Sequence, residues 1–273
     1  MEQGKEPGRG AAWLAALTNN GKALDGYAAS VRVVDAALAG EPARYIAVVR
    51  DAANPFPRVR NGEVGLVEAW MIARAVREVI AADAAKACKR PIVAVIDVAS
   101  QAYGRREEAY GIHQALAGAA AAYADARLAG HPVIGLIVGK AMSGALLAHG
   151  YQANRLIALD DPAVMVHAMG KAAAARVTLR SVEELDALAA TIPPMAYDIG
   201  SFAQLGLLWR LLRVEHPDAP SARDLDRVDS CLAEALADIR ADTQRDLSGR
   251  LKQPARQLSQ QVRDRLRTPW RED

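Results

Sequence analysis

Asp97-Val-Ala-Ser-Gln-Ala-Tyr-Gly-Arg-Arg-Glu-Glu-Ala-Tyr-Gly111 and, one helix-length further on, Gly130-His-Pro-Val-Ile-Gly-Leu-Ile-Val-Gly-Lys-Ala-Met-Ser-Gly-Ala145 decide how this chain folds. Each follows or contains a short apolar run, Pro91–Asp97 and Pro132–Val138, which breaks into a Gly-bearing polar loop and then a helical pattern, Glu107–Leu128 and Ser143–Tyr151. Apolar runs of strand length without alternation belong to a sheet covered by helices. The two strand-to-helix turns therefore face the same way. Tyr103-Gly104-Arg105 and Gly139-Lys140-Ala141-Met142-Ser143-Gly144 would each present backbone N–H groups at a helix N-terminus. Such groups bind anions and, held rigidly, stabilise the oxyanion of an enolate.

Working outward, residues 11–19 read as a short helix ending at Asn19-Asn20-Gly21, and Ser30–Leu38 and Arg44–Asp51 as strands joined by Ala39-Gly40-Glu41-Pro42. Asn54-Pro55-Phe56-Pro57 is stiff and extended, Asn61-Gly62 is a turn, and a long helical pattern runs from Val64 to Cys88, which completes a ββα unit. Arg155–Leu159 and Ala163–His167 are further strands. Beyond Glu183 the pattern is almost wholly helical, broken at Pro193-Pro194, Pro217, Pro220 and Pro254. The expectation is an α/β domain over residues 1–239 and a basic helical extension over 240–273. That extension carries nine Lys or Arg against five Asp or Glu, so it is positive while the remainder is slightly negative. It is either a solvated face or a docking surface for an acidic partner.

Composition narrows the function classes. Hydrophobic residues at 51% and charged residues at 24% describe a globular protein, and the Ala-rich runs at Ala119–Ala122 and Ala172–Ala175 favour helix. No stretch reaches the roughly 20 apolar residues of a membrane span, and the first residues lack a signal-like apolar region, so a cytoplasmic location is expected. Basic residues are not interleaved with aromatics, which argues against nucleic acid. Cys88 and Cys231 form neither CxxC nor a ligand set with His, so neither disulfide nor metal is expected.

Several residues carry more than one reading. Ser143 could be a nucleophile, but no base is identified among His113, His131, His149, His167 and His216, and an N-cap role accounts for it more simply. Glu107 and Glu108 could act as acid or base, yet acidic residues are stabilising in a first helical turn anyway. Arg105 and Arg106 either contact a carboxylate or phosphate or are surface charge. Tyr103, His149 and His167 are candidate proton donors. Asn61-Gly62 is a second donor nest or a plain turn, and the Val64–Cys88 helix with Trp70 and Met71 reads as core.

The order Asp97, Tyr103, Gly104, Glu108, Gly111, then Gly139, Ser143 and Gly144, resembles the carboxyltransferase branch of the crotonase superfamily. With Asn54–Gly65 and Val164–Lys171 added, the chain looks most like the gamma subunit of biotin-independent malonate decarboxylase. It departs from the superfamily pattern in lacking Pro before Gly104, and in having Ala145 where a second Gly is usual and Ala141-Met142 for a Gly pair. The resemblance implies a crotonase-like ββα superhelix with a C-terminal helical extension. It also implies a site shared with a homologous beta-type subunit, which decarboxylates a malonyl thioester on an acyl carrier protein to the acetyl thioester and carbon dioxide. No cofactor is implied on this chain; the phosphopantetheine-type thioester arrives on the carrier, with CoA as its analogue, and an acyl-carrier transferase subunit completes the complex. Gly104, Ser143, Gly144 and Ala145 are then the expected catalytic donors. Tyr103, Arg105, Asn61, Gly62 and His167 are the expected substrate contacts. The competing readings are a stand-alone CoA-thioester hydratase or isomerase using Glu107 or Glu108, and a noncatalytic scaffold docking the carrier through residues 240–273.

Overall fold

The computed structural model describes residues 8–242, 246–251 and 254–267. The first helix, α1 (Arg9–Leu17), is followed by Asn19 and Asn20 at φ 49° and 56°, a left-handed conformation that Asn adopts at little cost. Strands β1 (Val31–Leu38) and β2 (Glu41–Val48) pair antiparallel, Val31 opposite Val48 and Leu38 opposite Glu41. Their loop is tighter than expected. Ala39 and Gly40 both sit at positive φ, 50° and 80°, and such a two-residue turn matches strand twist, so Glu41 and Pro42 already belong to β2. Pro42 costs no ladder bond, because parallel pairing of β2 with β3 (Ile92–Val98) begins only at Arg44.

The helix expected over Val64–Cys88 is the shorter α2 (Leu66–Ala82). It stops where the buried Asp83 carboxylate accepts hydrogen bonds from the Arg90 N–H and guanidinium and from Lys86. The helix expected over Glu107–Leu128 is two, α3 (Arg105–Ala109) and α4 (Ile112–Leu128), broken by Gly111 at φ 79°. β4 (Val133–Met142), α5 (Ser143–Ala148), β5 (Arg155–Leu159) and the short β6 (Met165–His167) follow. Then come α6 (Lys171–Thr178), α7 (Val182–Ala189), α8 (Ile199–Gln204), a short strand β7 (Arg210–Leu212) that interrupts the expected all-helical region, α9 (Ala222–Ala241) and α10 (Gln257–Arg267). The sheet order is β1-β2-β3-β4-β5-β7, with β6 pairing the far end of β4.

Strand alternation distributes the helices to two faces. Arg44 donates to the Ala75 carbonyl of α2, whereas its neighbour Tyr45 points toward α9, where burial and then the Asp229 charge raise its phenol pKa. Ile92, Ile96, Ile134, Leu136 and Ile137 are fully buried, each contributing about 1.5–3 kcal/mol of transfer free energy. On the α2 side, α4 presents the buried small residues Ala115, Ala119, Ala122 and Ala126. Small residues allow close approach: a Cβ on Gly118 would stand 2.8 Å from the Trp70 ring. Helix α9 runs through residue 240, and beyond it Arg250 folds back, donating to the carbonyls of Tyr151 (2.8 Å) and Ala153 (2.6 Å). Burial pushes the Arg250 guanidinium down to about 10.

Candidate active site

The carboxyl ends of β2, β3 and β4 emerge together on one edge of the sheet, where parallel α/β sheets bind their ligands. The loops leaving β2 and β3 are stitched to each other. Val64 donates to the Ser100 carbonyl at 3.0 Å, Ala102 donates to Val64 at 2.8 Å, and Arg58, paired with Glu63, reaches the Tyr103 carbonyl at 3.2 Å. The two loops thereby become one wall.

Residues 139–142, expected as a turn, continue β4, with Ala141 opposite Val98 and Lys140, Ala141 and Met142 opposite Met165, Val166 and His167. The physical reason is Asp97. Its Oδ1 accepts the Lys140 N–H at 3.1 Å and its Oδ2 the Gly10 N–H at 3.1 Å, so the strand end is clamped between β3 and α1. Only glycine at 139 permits this, since a Cβ there would lie 2.2 Å from Asp97 Oδ1.

The turn itself is a single residue. Ser143 has φ 58°, which costs an L-residue about 1–2 kcal/mol. Its hydroxyl donates to the Ala168 carbonyl at 2.6 Å, and the N-cap of α5 is Met142, so the expected capping role is not what the Ser143 side chain performs. A left-handed residue entering a helix gathers successive N–H groups into a concave anion-binding nest. The Gly144 N–H is engaged by Gln101 Oε1 at 2.9 Å. The Ala145 N–H follows in the first helical turn, whose N–H groups have no acceptor within the helix. Gln101 was not singled out in the sequence, because nothing in its spacing shows that it reaches across to α5.

His167 joins this group through strand pairing with Met142. Its ring stacks on Tyr197, centroids 3.9 Å apart, and its Nδ1 lies 3.0 Å from the Met169 carbonyl. Burial lowers the His167 pKa. Tyr197, which the sequence did not mark, has its hydroxyl buried without a hydrogen-bond partner among the described residues, and the Lys171 ammonium 5.4 Å from its ring centroid.

Other expected residues fall elsewhere. Gly104 is the extended N-cap of α3 with the Glu107 carboxylate folded against it, while Tyr103 and Arg105 are exposed on that rim. Arg106 lies over Phe56, 5.0 Å from its centroid, and 6.0 Å from that of Tyr110. Asn61 and Gly62 line a separate cleft of about 570 Å³ with Arg50, Asp97 and Lys140, on the side of α1. His149 is a core residue: Nε2 donates to the Val95 carbonyl at 3.1 Å, leaving Nδ1 to accept from the Tyr123 hydroxyl at 3.1 Å. Burial lowers it to about 4, so it is neutral and enclosed. Among the described residues, no group of three or more His, Cys, Asp or Glu could hold a metal ion, and no helix is long and apolar enough to cross a membrane.

The parallel core of the sheet, with helices packed on its faces, forms a crotonase-like fold. The transcarboxylase 12S core, crystallised with methylmalonyl-CoA and methylmalonic acid, shares this fold at 20% identity and TM-score 0.61 over 89% of this chain and 44% of that one. Within that class, residues 59–270 match the family model described as malonate decarboxylase gamma subunit, and the chain belongs to this family. The corresponding chain of a Pseudomonas malonate decarboxylase hetero-tetramer in complex with coenzyme A is 65% identical, with TM-score 0.93 over 96% of this chain and all of that one. A Pseudomonas MdcD-MdcE hetero-dimer gives 61% identity and TM-score 0.90, over 96% of this chain and 99% of the other. The Malonomonas rubra malonyl-S-ACP:biotin-protein carboxyltransferase MADD is 34% identical over 188 residues, 68% of this chain; the match spans 61% of that protein's length.

Proposed function

We propose that this chain pairs with a beta-type subunit to decarboxylate a malonyl thioester carried by an acyl carrier protein, in a cytoplasmic complex that also holds an acyl-carrier transferase subunit. The observation that carries the reading is the Gly144 N–H, already holding a carboxamide oxygen, that of Gln101, at 2.9 Å. The strained turn at Ser143 is thus built to receive a carbonyl or carboxylate oxygen. The Pseudomonas relatives, crystallised with coenzyme A and with malonate, support the substrate class.

In the reaction the bond between the α-carbon and the carboxylate breaks, its electron pair passes into the thioester as an enolate, carbon dioxide leaves, and the α-carbon takes a proton. Interactions equal in ground and transition states do not raise the rate. A donor on the departing carboxylate must therefore act by orientation. Gly144 and Ala145 hold that group out of the thioester plane, so that the breaking bond aligns with the carbonyl π system. The enolate oxygen is stabilised from the beta-type side. Gly104, Tyr103 and Arg105 form the rim by which the phosphopantetheine arm enters, and His167 borders the turn. Asn61 and Gly62, on the α1 side, serve as an outer contact for the arm.

The test is carbon dioxide release from malonyl-carrier protein by this chain alone, by the beta-type subunit alone and by the pair. Release by the pair only is expected; release by this chain alone would replace the shared site with a self-sufficient one.

A further inference from the structure

Cleavage of the carboxylate leaves an α-carbon that must take a proton, and the backbone donors of Gly144 and Ala145 have none to give. Tyr103, His149 and His167 are the candidates on this chain. Tyr103 is exposed on the rim, and His149 is enclosed in the core with both ring nitrogens engaged. His167 is placed differently. It pairs with Met142, the residue before the strained turn, and the carbonyl of its neighbour Ala168 receives the Ser143 hydroxyl.

The two ring nitrogens of His167 have different surroundings. Nδ1 stands between both polar groups of Met169, 3.0 Å from the carbonyl and 3.3 Å from the N–H. A protonated Nδ1 donates to the carbonyl and a deprotonated one accepts from the N–H, so Nδ1 is satisfied in either state. Nε2 has no hydrogen-bond partner among the described residues and, unlike the Tyr197 hydroxyl, is not closed off from solvent. It can gain and lose a proton without stranding a buried polar group. The charged groups on the surrounding elements are Lys140 of β4, Lys171 of α6, Asp186 of α7 and Asp198 of α8. Lys171 and Asp186 pair at 2.6 Å, and the Asp198 carboxylate caps α8. Burial lowers the His167 pKa and the Met169 backbone opposes it, which makes the imidazolium a stronger acid than an ordinary histidine.

We propose that His167 protonates the enolate. Nε2–H gives its proton to the α-carbon, the enolate electron pair forms the new C–H bond, the thioester carbonyl reforms, and Nε2 is reprotonated from water. The assignment rests on the decarboxylation reading of the Gly144 turn. It also gives the site a further activity. Run backward, neutral Nε2 removes a proton from the methyl group of an acetyl thioester, so the pair exchanges those hydrogens with solvent without any carbon dioxide.

Acetyl-CoA incubated in D2O with this chain and its beta-type partner, and read by mass spectrometry, tests this alongside carbon dioxide release from malonyl-CoA. Deuterium should enter the acetyl group at a rate that rises with pH and levels off above the His167 pKa. In His167→Gln, with the complex still assembled, exchange should fall about 100-fold. Carbon dioxide release without exchange, or exchange by His167→Gln within about threefold of wild type, overturns the assignment and moves the donor to the beta-type subunit. Exchange without carbon dioxide release keeps His167 and removes the decarboxylation reading instead; absence of both removes both. If His167→Gln does not assemble, the wild-type pH profile still decides, since a flat profile excludes an imidazole.

Discussion

Among the described residues, two turns place a residue other than glycine or asparagine in the left-handed region beside a glycine: Ala39 before Gly40, and Ser143 before Gly144. They differ in what surrounds them. The hairpin turn is exposed, and a Cβ built on Gly40 meets nothing within 4 Å. The β4–α5 turn is tethered by the Ser143 hydroxyl to Ala168, by Gly144 to Gln101, and by the pairing of Met142 with His167. Backbone strain persists where the surroundings over-determine it, and it is informative there. At the hairpin it is a local cost of connecting two strands. At Ser143 it aims a donor.

The contrast breaks most severely at Gly144. A Cβ there would be 3.3 Å from Gln101 Oε1 and 3.6 Å from Leu116, so Gly144→Val fills the space in which an oxygen is received. Decarboxylation by the assembled pair should fall about 100-fold, the cost of misplacing a reacting group by about 1 Å, with the complex still eluting intact from a sizing column. Turnover within threefold of wild type would remove this turn from the mechanism.

The support beneath the turn is pH-sensitive in a calculable direction. His149 follows α5 directly, and burial holds its folded pKa at about 4 against an ordinary 6.5. Between those values the unfolded chain binds the extra proton, so the stability contribution is complete above pH 6.5 and is lost as pH falls toward 4. The full loss amounts to about 3 kcal/mol. Urea unfolding of wild type and His149→Phe at several pH values should show the variant declining less steeply over that window, so that its stability relative to wild type rises as pH falls from 6.5 toward 4. Parallel curves would mean that His149 does not carry the dependence.

At Gln101 the prediction is kinetic. The side chain occupies the donor that substrate must use, and a net hydrogen bond is worth about 1 kcal/mol. Gln101→Ala should therefore lower KM about threefold to tenfold with kcat unchanged, whereas Gln101→Glu, placing a carboxylate on the donor against an anionic substrate, should raise KM. A fall in kcat for Gln101→Ala would make Gln101 a positioning residue instead.

Gln101 also marks how far the sequence could be read. The two apolar runs, the hairpin and the helices after them were legible, because periodicity and Gly and Pro punctuation act locally. The resemblance carried by Gly104, Ser143 and Gly144 pointed to the family that residues 59–270 match. What escaped depended on through-space closure. β4 continues through Gly139 because Asp97 grips Lys140; Ser143 is strained instead of capping; Gln101 reaches α5; and Tyr197 stacks beneath His167. None of these pairings leaves a local trace, since the partners lie 25 to 43 residues apart where a hydrogen bond joins them.

The smallest effect returns to the two strained residues. Ala39 is exposed and at φ 50°, so Ala39→Gly should stabilise the chain by about 1 kcal/mol in urea unfolding, the left-handed penalty being relieved. Ser143→Gly relieves the same penalty but also deletes the 2.6 Å bond from the hydroxyl to the Ala168 carbonyl, itself worth about 1 kcal/mol. Its net effect should be close to zero. Ser143→Ala loses the bond and keeps the strain, and should cost about 1 kcal/mol. Equal stabilisation by Ala39→Gly and Ser143→Gly would show that the hydroxyl contributes nothing, and that the two turns differ in location but not in how firmly they are held.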